Sequence, residues 1–300
     1  MEDVLYIIFG FLQIYDFVNC IPVCKIFYNI CNNQTLWKKL FVYKYVDTKY
    51  FDTNYCKTYK FYHKLNKLHK LIKYEKSLEH LYESDNIDLS NRGSLSVPLE
   101  VCELKNLKVL DLYKNKLVVL PLNIGNLTNL EELYLFKNQL GTIPKGFGKL
   151  HNLKRLYLDN NKLEKLPLEL CQLHNLEELF LSNNKLIKIS SKVGNLKNLI
   201  QLYLDNNVLT KIPLELGQLC RLQVLFLQNN KIEILPVELG NLCNLKVMGL
   251  ENNKIKDIPK EFGQLYNLEI LKMSGNYVVA LPEDIFKLKK LRFVSCDDND

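Results

Sequence analysis

Five histidines, nine cysteines and an evenly spaced column of aromatic residues are the parts of this 300-residue chain that could do chemistry. Acyl transfer needs a base held beside a serine or cysteine nucleophile. His63, His69, His80, His151 and His174 stand in no such motif, and His151 and His174 lie 23 residues apart, at equivalent surface turns. Cys20, Cys24, Cys31, Cys56, Cys102, Cys171, Cys220, Cys243 and Cys296 form no C-x-x-C pair and join no histidine at zinc-ligand spacing. They read as small buried hydrophobes in a reducing compartment. Glu131-Glu132 and Glu177-Glu178 are repeat copies of one another, and no glycine-rich phosphate loop opens a helix. The sequence therefore points away from an enzyme, with no catalytic residue, metal or cofactor expected. What recurs is Tyr134, Tyr157, Phe180, Tyr203 and Phe226, one every 23 residues, with Tyr113 and Phe136 in a neighbouring column. Aromatic side chains carry much of the contact energy of protein interfaces, so the chemistry on offer is recognition.

The elements that must position those rings follow from the same period. Prolines fall at Pro98, Pro121, Pro144, Pro167, Pro213, Pro236, Pro259 and Pro282, with Ser190 filling the gap in the series. Asparagines keep step at Asn115, Asn138, Asn161, Asn184, Asn207, Asn230, Asn253, Asn276 and Asn299, each preceded by an LxxLxL-type stretch such as "LKRLYLDNN". A short strand puts those leucines on one face and the residues between them on the other. The asparagine amides at the strand exits are expected to form a buried, satisfied ladder. The pattern resembles the leucine-rich repeat family over residues 84–300, about nine repeats. That resemblance implies an α/β solenoid, a horseshoe with parallel strands on its concave face. The concave columns then read Asp111, Tyr134, Tyr157, Phe180, Tyr203, Phe226, Gly249, Lys272, Ser295 and, beside them, Tyr113, Phe136, Asp159, Ser182, Asp205, Gln228, Glu251, Ser274, Asp297. Partner binding is expected at Tyr113, Tyr134, Phe136, Tyr157, Phe180, Tyr203 and Phe226. The first unit departs from the pattern, with Arg92 and Ser94 where Asn and Leu are expected.

Ahead of the repeats, Leu5, Ile8, Phe9 and Leu12 recur at three- and four-residue steps, which gives one apolar helix face. Glu2 and Asp3 precede that stretch, so it lacks the basic start of a secretory signal, and nine apolar or glycyl residues are too few to span a bilayer. Phe17, Ile21, Val23, Phe27, Ile30, Leu36 and Trp37 can close a small three-helix core. "DVLYIIFGFL", "YDFVNCIPVCKIFYNI" and "NQTLWKKLF" together resemble the F-box, so residues 1–41 read as a small all-α module. The family's usual Leu-Pro opening is missing, and Phe27 stands where Trp is frequent. The resemblance implies that Leu5, Ile8, Phe9, Leu12, Phe17, Val23, Cys24, Leu36 and Trp37 meet a Skp-type linker of a cullin ubiquitin ligase. The repeats would then hold an unidentified protein substrate, in the cytoplasm or nucleus, of a host cell where the chain is viral. The competing reading is a signalling scaffold resembling Ras-group repeat arrays, with the N-terminal helices only a cap.

The net charge of +7 is concentrated in one place. Residues 42–83 read as a basic helical linker or cap, and Lys38–Lys76 holds eleven lysines against three acids. Such a run can bind nucleic acid or an anionic membrane. Here Leu65, Leu68, Leu71, Ile72, Glu75 and Leu78 recur at helical spacing, which makes the lysines a solvated helix face and disfavours a nucleic-acid partner.

Overall fold

The computed structural model describes residues 64–297 and 299. The F-box-like residues named above lie outside that range. The chain divides into two units, Met1–Leu81 and Tyr82–Asp300. In the first, residues 64–71 are helical, with Leu65, Leu68 and Ile72 buried as the periodicity predicts. The helix does not run on to Leu78. Lys73 takes a φ of 51°, the Tyr74 N–H donates to the His69 carbonyl, and a separate helix spans Leu78–Glu83. Leu71 is consequently 59% exposed rather than part of a buried stripe. Among the described residues, no helix is long and apolar enough to cross a membrane.

The second unit is one ten-stranded parallel sheet in sequence order. Its strands are β1 (Asn86–Asp88), β2 (Val109–Asp111), β3 (Glu132–Tyr134), β4 (Arg155–Tyr157) and β5 (Glu178–Phe180). They continue as β6 (Gln201–Tyr203), β7 (Val224–Phe226), β8 (Val247–Gly249), β9 (Ile270–Lys272) and β10 (Phe293–Ser295). Every residue pairs with the one 23 positions on, so no strand is shifted against its neighbour. The irregular first unit contributes β1, which is why ten strands arise from nine regular repeats.

Each proline starts a five-residue 3-10 turn that closes the core opposite the sheet, as at Leu168–Gln172 after Pro167. Proline suits the place because its ring fixes φ near the observed −68° and the turn asks no N–H of it. Ser190 reaches the same backbone, φ −69°, and replaces the ring's constraint with a hydrogen bond accepted from the Lys192 N–H at 3.2 Å. Successive turns lie so close that a Cβ on Gly125 or Gly217 would run into the next turn's carbonyl, of Gly146 or Glu238. The equivalent residue of the last turn is Phe286, 73% exposed.

Two asparagine ladders bond neighbouring coils. In the expected one, Asn161 donates to the carbonyls of Leu158 in its own coil (3.0 Å) and Leu135 in the coil before (3.0 Å). Its Oδ1 accepts the Leu140 N–H at 3.0 Å. The amide thus replaces the partners that these three chain groups lose where the strand ends, and Asn161 is 8% exposed. Arg92 is accommodated at the first such position because an asparagine there would have no earlier repeat to bridge. The residue before each of these positions takes the left-handed conformation, φ 52–55° at Asn91, Lys114, Lys137, Asn160, Asn183, Asn206, Asn229 and Asn252 and 70° at Gly275. Asparagine tolerates that region better than most residues.

The second ladder was not anticipated. Asn129, Asn152, Asn175, Asn198, Asn244 and Asn267 each donate to the carbonyl 24 residues back, at 2.6–2.9 Å, on the exposed turn. The signal was in the sequence: an Asn-Leu pair opens these repeats with the same 23-residue spacing. The two ladders predict different sensitivities. Asn161→Ala should cost about 3 kcal/mol, since it strands a buried N–H and leaves carbonyls short of donors. Asn152→Ala, losing one solvated bond, should cost about 0.5–1 kcal/mol. Urea denaturation of the two variants checks the contrast, and equal losses would refute it.

Candidate protein-interaction face

The residues between the inward leucines project from the side of the sheet opposite the 3-10 turns, half-buried while the leucines are buried. All seven aromatic residues singled out from the sequence meet there. Tyr134, Tyr157, Phe180 and Tyr203 form one stack, with centroids 4.7, 4.7 and 4.4 Å apart and planes within 17° of parallel. Tyr113 and Phe136 form a second, at 4.1 Å, joined to the first by a tilted Phe136–Tyr157 contact at 6.5 Å. Flush register causes this, because it sets identical positions at the strand spacing, close to ring-stacking distance. The rings therefore cover each other's faces and present their edges outward.

The stack ends at Gly249. Phe226 turns 56° out of line with Tyr203, and its Cδ1 lies 2.6 Å from where a Cβ on Gly249 would be. Gly249 is thus a vacancy in the column that the last ring leans into. Gln228 Oε1 and Glu251 Oε2 border the same space, 2.8 and 3.1 Å from that Cβ position, both buried and without a donor among the described residues.

Polar groups flank the rings on both sides. Toward the strand starts, Glu132 pairs with Arg155 and Glu131 with Lys154 (2.7 Å), pairs between adjacent strands. Arg155 beside Glu132 holds that carboxyl below its ordinary range, and the Tyr134 hydroxyl donates to it as well. Burial first and Glu132 second push the Tyr134 hydroxyl up to about 12. The Tyr157 hydroxyl donates to Glu178 at 3.1 Å. Toward the strand exits, Asp159 accepts the Ser182 N–H at 2.9 Å, and Ser182 donates its hydroxyl to Asp205. Burial pushes the Asp159 carboxyl up to about 6, against those hydrogen bonds and with help from Asp205.

The cysteine expectation is corrected in part. Cys102 and Cys171 are buried on the inner side of the 3-10 turns, and burial raises both thiols to about 11. Cys220, Cys243 and Cys296 are exposed; the first two occupy the outward turn position where Lys197 and the exposed His151 and His174 stand in other repeats. Among the described residues, no group of His, Cys, Asp or Glu could hold a metal ion.

The family described as F-box-like matches residues 2–43, and those described as leucine-rich repeats match 105–145, 128–170, 174–216 and 221–242. The chain is an F-box-like leucine-rich-repeat protein. Its repeats continue past the matched segments, since β9 and β10 carry the same register to residue 295. Among solved structures, the ectodomain of the Arabidopsis thaliana receptor kinase GASSHO1/SCHENGEN3, in complex with CASPARIAN STRIP INTEGRITY FACTOR 2, is similar. It is 33% identical with a TM-score of 0.66, over 71% of this chain and 27% of that one. The plant peptide hormone receptor RGFR1 in complex with RGF2 is 31% identical, TM-score 0.57, over 72% and 40%. An internalin, InlF, from Listeria monocytogenes shares the fold at 21% identity, TM-score 0.59, over 77% and 74%. The F-box-like repeat protein thus spans less than half of either plant receptor chain. Comparison with curated protein sequences gives no match. Both modules of this F-box-like repeat protein belong to families that work by binding other proteins.

Asp159 makes a test of the face's electrostatics. Its folded-state affinity for a proton is higher than in the unfolded chain, where an aspartate ionises near 4. The stabilisation is present below about pH 4 and is lost as pH rises through about 6. Asp159→Asn keeps the acceptor for Ser182 and cannot ionise. It should therefore gain on the wild type across this window, by about 1–2 kcal/mol above pH 6. Urea denaturation at several pH values checks the sign; a variant less stable than wild type above pH 6 would contradict it.

Proposed function

We propose that the protein is a non-catalytic substrate-recognition adaptor of an SCF-type ubiquitin ligase. Its F-box-like module would dock the Skp-type linker through Leu5, Ile8, Phe9, Leu12, Phe17, Val23, Cys24, Leu36 and Trp37. The sheet face would hold a target protein at Tyr113, Tyr134, Phe136, Tyr157, Phe180, Tyr203 and Phe226. The observation that carries this reading is the order of modules: an F-box-like segment at 2–43 ahead of a regular repeat array. The division of labour is taken as 1–41 for docking, 42–83 as a basic linker or cap and 84–300 for recognition.

The mechanism is proximity. A target tethered beside the loaded conjugating enzyme presents its lysines at a high effective concentration, so the adaptor needs no nucleophile of its own. Pre-stacked rings suit the recognition half, because side chains already ordered lose little freedom when a partner covers them. Two of the similar plant receptors are solved in complex with a partner, which supports a binding role for an array of this kind. The cytoplasm and nucleus, where such ligases act, are the compartments this reading assigns.

Co-expression of the full chain with a eukaryotic Skp-type linker should give a stoichiometric complex on size-exclusion chromatography. The Leu5→Asp/Ile8→Asp/Leu12→Asp variant should lose it while leaving the repeat array's thermal unfolding in place. A well-folded wild-type chain that elutes alone would overturn the adaptor reading and leave a repeat scaffold with helices as its cap.

A further inference from the structure

The strand-exit side of the aromatic stack carries more acceptors than the protein can satisfy with charge. From β4 to β8 this row reads Asp159, Ser182, Asp205, Gln228, Glu251. Asp205 is 8% exposed and receives only neutral donors, the Ser182 hydroxyl and the Asn206 amide at 2.6 Å. No lysine or arginine among the described residues forms an ion pair with Asp159, Asp205 or Asp111 of the adjacent column. Gln228 Oε1 and Glu251 Oε2 are buried without donors, and the nearest cation to Glu251, Lys272 Nζ, stands 4.0 Å from its other oxygen. The left-handed residues bordering the row, Asn160, Asn183, Asn206, Asn229 and Asn252, are neutral, whereas the two coils before it place Lys114 and Lys137 there. Lys137 sits over the Tyr113 ring at 5.6 Å. The cationic edge therefore stops where the acceptor row begins.

Asp159 and Asp205, largely desolvated and without an ion-pair partner among the described residues, favour a partner that brings a counter-charge, through charge-assisted hydrogen bonds. The ring faces inside the stack are covered by neighbouring rings, so an incoming cation meets carboxylates rather than aromatic faces. We propose that this row docks a basic, extended segment of a partner protein, with arginine or lysine about three positions apart. Asp159 and Asp205 are two strands apart, about 9.6 Å at the usual spacing. A polyproline-like segment returns to the same face every third residue after about 9.3 Å. Its uncharged residues would lie along the ring edges. The proposal rests on the sheet face being the surface that receives a protein, and deepens that reading by assigning the partner's charge.

Three labelled peptides in a proline background, carrying arginine, glutamate or serine at every third position, test it by fluorescence anisotropy against the full chain. The arginine peptide should bind, weaken as salt rises, and lose about tenfold in affinity with Asp159→Asn/Asp205→Asn. The single Asp159→Asn variant gives the same reading at smaller amplitude should the double variant fail to fold. An arginine peptide that does not bind, or binds wild type and variants alike, overturns the proposal. A Phe180→benzoylphenylalanine variant then separates the two failures. Photo-crosslinking of the glutamate or serine peptide there keeps the face as a docking surface and overturns only its charge preference. No crosslink with any of the three peptides overturns both.

Discussion

An asparagine side chain that bonds two coils at once is the interaction on which the rest of the array depends. Where the chain leaves each strand it must turn, and turning removes the strand partners of several backbone groups in a place water does not reach. The amide of Asn138, Asn161 or Asn184 restores them in both directions, to its own coil and to the one before. Because the two ends of that bridge are fixed, the coils cannot slide. Register, the leucine columns and the row of 3-10 turns all follow from coils held at one offset.

Fixed offset also explains the interaction face. Nothing about Tyr157 alone makes it stack; it stacks because Tyr134 and Phe180 occupy the same place one strand away on either side. The same geometry lines up Asp159 and Asp205 two strands apart, and lines up Glu131 with Lys154 and Glu132 with Arg155. Neighbouring strands pair opposite charges on one side of the rings, whereas on the other Asp159 and Asp205 receive only neutral donors. The face is thus polarised across its width, with paired charges toward the strand starts and unneutralised carboxylates toward the exits.

Much of this was legible in the sequence because a strict period converts sequence position directly into spatial position. Asn161 and Pro167 announce their roles by recurrence, and the aromatic column can be read as a row before any coordinate is seen. What the period could not give is orientation and consequence. That the rings turn their faces to one another, and that Phe226 leans into the room left by Gly249, depends on side-chain torsions. The end of helix 64–71 was missed because the apolar spacing continues through Ile72 toward Leu78 while the backbone reverses at Lys73, which has no Gly or Pro to mark it. The exposed thiols of Cys220 and Cys243 were misread for a different reason. Cysteine's usual burial was weighed above its position, which the neighbouring histidines already marked as outward.

The flush register has a consequence for how such a molecule changes over evolutionary time. A whole coil can be gained or lost between two neighbours without retuning the asparagine rungs elsewhere, since each new asparagine finds the same carbonyls to bridge. Doing so moves everything beyond the insertion by one strand spacing, about 4.8 Å. The reach from the first strand to the carboxylate row is therefore a quantity counted in whole repeats, like notches on a ratchet. Copying or deleting one stretch of 23 codons would set it, with no point mutation required.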